Sequence, residues 1–230
     1  MNIDDLPLFK ETSADFRAQI EPFFQWRSFS TGREIINRAD PNTDVLFVCH
    51  GKVRVVIYTL NGREVSLDDV GAGSFFGEIA AIDSEPRSAS VVALEPSEIA
   101  FLSAEKFREC LRKETCVTLR VMQRMSTIIR QANDRIIELS TLCANDRIYA
   151  EILRLALKYG VEKEEKIYIS PAPVHSDIAA RISTARETVA RAMSSLSKRK
   201  IVTRESGALI VQDIKKLSDI VQKVRGDSLL

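Results

Sequence analysis

The 230-residue chain reads as an α+β protein. It has an N-terminal β-roll of jelly-roll type, a long dimerisation helix and a C-terminal winged helix-turn-helix. Three observations predict this. Short β-rich runs alternate with turn residues from Trp26 to Ser103. Leu119, Met122, Ser126, Ile129, Asn133, Ile136, Ser140 and Cys143 then follow one another in steps of 3 and 4, a heptad seam. Finally, two short helical stretches meet near Ser183, ahead of a small hairpin. The boundaries expected are 1–114 for the roll, 115–144 for the long helix and 145–230 for the last domain.

Residues 3–24 place Leu6, Leu8, Phe9, Phe16, Ile20 and Phe23 at helical spacing, which predicts short helices packed on the first domain. Strands are expected at Val45–His50, Val53–Thr59, Glu64–Val70, Ala89–Ala93 and Glu98–Leu102. Asn61-Gly62 between two of them is a hairpin turn signal. Alternation assigns Val45, Phe47, Val53, Val55, Ile57, Leu67 and Val91 to the interior of the roll.

Inside the β region runs Gly73-Ser74-Phe75-Phe76-Gly77-Glu78-Ile79-Ala80, and Pro86-Arg87-Ser88-Ala89 follows. This stretch resembles the phosphate-binding cassette of cyclic nucleotide-binding domains. The chemistry suits the resemblance. Gly77 lets the backbone come close, and the N–H groups opening the turn at Glu78, Ile79 and Ala80 attract an anion. Arg87 can grip a cyclic phosphate with two prongs, and Ser88 can donate one more bond. Glu78 can accept from a ribose 2′-hydroxyl. The bland alternative is an Arg–Glu ion pair in a loop, but Gly, Glu, Pro-Arg and Ser-Ala in this order argue against it.

Ala104–Leu111 is expected to be a helix, and the heptad seam follows. An Asn at position 133 of such a seam commonly fixes register and oligomeric state. A second stripe, Val121, Met125, Ile128, Ala132 and Ile137, is expected to face the roll. A helix apolar on two sides suits a homodimer helix that also covers its own domain. A hinge is expected at Asn145-Asp146. Asp146–Lys158 is helical, Val161–Lys166 a charged loop, and Ile167–Ile169 an edge strand. Ile201–Arg204 and Ala208–Val211 flank Glu205-Ser206-Gly207 as a wing, and Asp213–Val224 is a terminal helix.

Asp177–Ile182 is read as the first helix of the two-helix motif. The second begins with Thr184-Ala185-Arg186-Glu187, which fits a capping box starting at Thr184. Val189, Met193 and Leu196 form its apolar stripe. Arg186, Glu187, Ala190 and Arg191 share the other face. Arg can donate two bonds to guanine, and Glu can accept from cytosine. Glu187 can equally serve as a cap alone.

Arg186-Glu187-Thr188-Val189-Ala190-Arg191 resembles the recognition helix of the cyclic AMP receptor protein / fumarate-nitrate regulator (Crp/Fnr) family, closest to its cyclic AMP receptor branch. The resemblance covers nearly the whole chain. It implies cyclic AMP or cyclic GMP as an allosteric ligand, and a dimer on palindromic double-stranded DNA with TGTGA-like half-sites. It also implies RNA polymerase as a partner. Arg186, Glu187 and Arg191 would read bases. Thr184 joins the DNA-binding set, and Lys200 and Arg204, with Lys198 and Arg199, would contact phosphate. The chain departs from the family in three places. The adenine-reading Thr-Ser pair of the long helix falls on Ala132 and Asn133, so Asn133 alone can reach a purine edge. Val174 stands for a capping Thr, and Ser183 for the usual turn Gly, which strains the backbone if φ is positive.

Charge and composition agree with this reading. Residues 146–230 carry 16 Lys and Arg against 11 Asp and Glu, a net of +5, and the remainder 17 against 21, a net of −4. A basic C-terminal part suits phosphate binding. No run approaches a membrane span, and the acidic N-terminus lacks a signal core, so a cytoplasmic protein is expected. Cys49, Cys110, Cys116 and Cys143 are scattered and the two histidines, His50 and His175, are far apart, so no metal centre is expected. The same poverty of ligands disfavours a phosphodiesterase, and the chain is expected not to be an enzyme. A regulatory subunit lacking DNA contacts is disfavoured by the wing. A family member gated by another small molecule, or constitutively active, is the alternative.

Overall fold

Apolar alternation between residues 25 and 102 closes into two four-stranded antiparallel sheets. One has the order β1 (Gln25–Phe29), β8 (Ser97–Leu102), β3 (Val45–His50), β6 (Phe75–Phe76). The other runs β2 (Glu34–Ile36), β7 (Ser90–Ala93), β4 (Lys52–Tyr58), β5 (Glu64–Gly71). The computed structural model describes residues 3–225. They divide into one unit up to Ile129 and another from Arg130 on.

Strand β3 is buried on both faces, which explains its unbroken Val-Leu-Phe-Val run. Leu46 and Val48 point into the roll with Val53, Val70 and Val91. Val45 and Phe47 pack on the opposite side with Ile3, Leu6, Phe9 and Phe107. The expected interior is therefore corrected at Val45 and Phe47. Their face is covered by the N-terminal segment, which holds α1 (Ala14–Ile20), and by α3 (Ala104–Lys113). Leu67 is a second correction, being 45% exposed. The β4–β5 register steps from Val55↔Asp68 to Val56↔Ser66, which leaves Leu67 as the extra residue of a bulge. Ile57 is only partly buried.

Helix α2 (Glu78–Asp83) interrupts the strands between β6 and β7, and α4 (Thr115–Thr141) follows α3. Val117 and Val121 of α4 join the core of the first unit, with Met125 against it. Ala132 and Ile137 are exposed, so the stripe expected to face the roll is shorter than its spacing suggests. Leu119, Met122, Ile129 and Ile136 of the heptad seam are also exposed. Helix α4 ends at Thr141, and α5 (Ala144–Tyr159) starts behind the N-cap Cys143. The break thus precedes the expected hinge. Asn145 and Asp146 fall in the first turn of α5, where an acidic side chain favours the helix dipole.

In the second unit a sheet of order β11 (Val202–Glu205), β12 (Ala208–Val211), β10 (Lys166–Ile169), β9 (Val161–Lys163) flanks α5, α6 (His175–Arg181), α7 (Arg186–Lys198) and α8 (Ile214–Arg225). The expected charged loop at 161–166 is a hairpin instead. Glu164 and Glu165 have φ of 50° and 61°, the pair of positive values a type I′ turn needs. β10 is consequently internal rather than an edge. The wing forms where expected, with Ser206 and Gly207 at φ 48° and 76°. The core joins Ile148, Ile152, Ile178, Val189, Leu196, Val211 and Leu217.

Candidate functional sites

Gly77 caps α2 at φ 83°, a left-handed value that costs other residues about 1–2 kcal/mol. A Cβ there would lie 2.6 Å from Arg87 Nη1 and 3.0 Å from the Asp44 carbonyl oxygen. Close approach, more than turn geometry, requires glycine. Arg87 is 4% exposed. Its Nη1 donates to the Gly77 carbonyl at 3.0 Å. Its Nη2 donates to the Asp44 carbonyl at 2.8 Å and to Asn42 Oδ1 at 3.1 Å. Its Nε is buried without a partner. The guanidinium is thus aimed by three protein acceptors and keeps one buried donor open. A two-pronged grip on an anion requires one terminal nitrogen to leave its carbonyl.

Glu78 is also 4% exposed. Burial pushes its carboxyl above the usual range, while its own N–H, Arg124 and Arg87 pull it back. Ala80 is buried, whereas Ile79 and Ser88 are exposed. Two residues that the sequence reading missed belong to the same neighbourhood. Arg124 of α4 donates from Nη2 to Asp68 Oδ2 of β5 at 2.9 Å, and its Nε is buried without a partner. The pairing of Asp68 with Val55 puts it on the face of β5 that lines the roll. Two guanidiniums, each with an open buried Nε, therefore act electrostatically on one buried carboxylate. Asn133 is exposed on the part of α4 that belongs to the second unit.

On the second unit, α7 buries Val189, Ala192 and Leu196 and exposes Arg186, Glu187, Ala190 and Arg191. The helix starts one residue later than the capping box implies. Its N-cap is Ala185, whose methyl group makes no cap, so Thr184 is corrected as a cap. The Thr184 N–H instead bonds to the Ala179 carbonyl at 3.0 Å, closing the turn in which Ser183 has φ 54°. Arg191 Nη2 reaches Thr188 Oγ1 at 3.4 Å. Lys198, Arg199, Lys200 and Arg204 are all exposed, and Arg204 donates to the Pro173 carbonyl at 3.0 Å. His175 lines a cavity of about 280 Å³ with Met193, Ser194 and Arg204. Burial, then Arg204 and Arg186, push its pKa below the usual histidine value.

This arrangement fits known proteins. Residues 26–114 match the cyclic nucleotide-binding domain, and residues 146–220 the Crp-like helix-turn-helix domain. The cyclic AMP receptor protein of Thermus thermophilus is 30% identical over 198 residues, covering 86% of this chain and 88% of that one. A CooA variant from Carboxydothermus hydrogenoformans shares the fold with a TM-score of 0.81 at 19% identity, over 96% of this chain and 98% of that one. CprK complexed with OCPA does so with a TM-score of 0.70 at 20% identity, over 86% and 90%. Among the described residues no helix is long and apolar enough to cross a membrane. With both domains matched in order, and that relative aligned along most of its length, the chain belongs to the Crp/Fnr family of DNA-binding transcription regulators.

Proposed function

We propose that this protein is a cyclic nucleotide-gated transcription regulator and not an enzyme. It acts as a cytoplasmic homodimer that binds a two-fold-related DNA site when cyclic AMP or cyclic GMP occupies the roll. One observation carries the ligand reading: the buried Arg87, aimed by carbonyls and open at Nε beside the buried Glu78. A buried donor left open costs free energy, and a cyclic phosphate can supply the acceptor that Arg87 Nε lacks. Gly77, Glu78, Ile79, Ala80 and Ser88 complete the phosphate and ribose contacts. The ligand shifts the equilibrium by its differential affinity for the DNA-competent state.

The dimer forms through residues 115–144, because Leu119, Met122, Ile129 and Ile136 are exposed large apolar side chains on one seam. Arg186 and Arg191 read guanines, Glu187 reads a cytosine, and Thr184, Lys200 and Arg204 position the backbone. RNA polymerase is the partner through which such a regulator acts. Selection of binding sites from random DNA with cyclic AMP or cyclic GMP present tests the reading. Paired TGTGA-like half-sites about one helical turn apart are expected. A non-palindromic site, or half-sites lacking the G·C pairs, would refute the base-reading roles.

A specific observation favours a second reading. The Asp68–Arg124 pair places two charges by the roll interior, and Ala132 lacks the hydroxyl of the family pattern. A different anionic small molecule then gates the protein. The same selection, recovering a site only with cell extract and with neither nucleotide, is its signature.

A further inference from the structure

The apolar core of the second unit is built from α5 onward. At the end of α4, beside the buried Leu142, a cluster of charged side chains faces this second unit. Glu138, in the last turns of α4, and Glu151 of α5 are 5% and 2% exposed. Arg154 bridges them: Nη2 donates to Glu138 Oε1 at 2.5 Å, and Nη1 donates to Glu151 Oε2. The other Glu151 oxygen lies 3.7 Å from Nε of Arg181, the last residue of α6. Arg135, one turn earlier on α4, acts electrostatically on both carboxylates. The cluster thus links three helices with three arginines and two carboxylates.

We infer that Glu138, Glu151 and Arg154 form a clasp that positions the helix-turn-helix on the last turns of α4. Charge-assisted hydrogen bonds from one guanidinium to two buried carboxylates are directional, so they favour one angle between α4 and α5. Two residues separate Thr141 from α5; one of them, Leu142, is buried, and the clasp adds directional bonds to that packing. The bond to Arg181 extends the clasp to α6, the helix that leads into the recognition helix. These are positioning residues, since none lies on the exposed Arg186–Arg191 face.

Hydrogen exchange on the full chain tests this without ligand or operator. Its outcome is therefore independent of the cyclic nucleotide reading. Arg154→Lys keeps the charge, but one ammonium cannot span both carboxylates, and Glu138→Gln removes one anchor. In both variants, amides of 135–141 are expected to exchange at least about tenfold faster while α7 and the wing keep their protection. Unchanged protection at 135–141 in both variants overturns the clasp. So does faster exchange spread evenly through α5–α8, which marks a merely structural role. Binding to DNA adds a second arm that rests on the dimer. Affinity for a two-half-site duplex should fall and that for a single half-site should hold, whereas an equal loss on both overturns the positioning role.

Discussion

Arg87 Nη1 donates to the carbonyl oxygen of Gly77 at 3.0 Å, so the glycine that opens the cassette also aims its arginine. Gly77→Ala should therefore fail twice. The left-handed φ of 83° costs roughly 1–2 kcal/mol of stability, and the new methyl displaces Arg87. Thermal unfolding should show the first loss, and calorimetry a fall of at least about tenfold in cyclic nucleotide affinity. Wild-type affinity in Gly77→Ala would contradict the close-approach argument.

Glu78→Gln should separate stability from binding. Burial is the largest influence on Glu78 and raises its pKa. A raised folded-state pKa means that the acid form fits the fold best. Stability from this group is complete below the unfolded pKa and is lost as pH rises through the folded value. The variant should match wild type in melting temperature at pH 4 and exceed it at pH 8, while its affinity for nucleotide falls. A variant less stable at both pH values would show that the arginines, not burial, dominate Glu78.

Lys200 offers a test with two opposite signs. It follows α7 at φ 55°. Its N–H bonds to the Ser197 carbonyl at 2.9 Å, and that of Ile201 to the Leu196 carbonyl at 3.0 Å, the two bonds of a Schellman cap, where glycine is favoured. Lys200→Gly should stabilise the fold by about 1 kcal/mol. It should also weaken binding to every DNA sequence alike and flatten the salt dependence by about one unit, the signature of one lost phosphate contact. An unchanged salt slope would remove Lys200 from the phosphate set.

Ile129→Asp and Ile136→Asp should each give a monomer in sedimentation, because both place like charges on the exposed seam of α4. A wild-type monomer at micromolar concentration, free and liganded, would contradict the dimer.

The short helix opened by Gly77-Glu78 and the two-faced helix α7 were legible because each lies within a short stretch of the chain. The two-helix motif with its wing followed from helical spacing and a Ser-Gly turn. Asp68 and Arg124 were not legible. They lie 56 positions apart, and the bulge at Leu67, immediately before Asp68, shifts the β4–β5 register, so period-2 alternation misassigns Leu67. The β9 hairpin escaped because Glu164-Glu165 is not a turn pair that chemistry favours, and pairing with β10 imposes its positive φ values. Val45 and Phe47 have the right period but face the other layer, since β3 is covered on both sides. Glu138 and Glu151 are polar residues whose burial only the packed helices reveal.

Calorimetric titration of the full-length protein with cyclic AMP and cyclic GMP, each with and without operator DNA, tests the central claim most directly. Wild type should bind at least one nucleotide, and more tightly with DNA present, because the coupling between two sites is reciprocal. Arg87→Leu, which strands the phosphate, should lose about 2–5 kcal/mol of binding. Wild type that binds neither nucleotide, or Arg87→Leu that binds as well as wild type, would contradict cyclic nucleotide gating through this cassette.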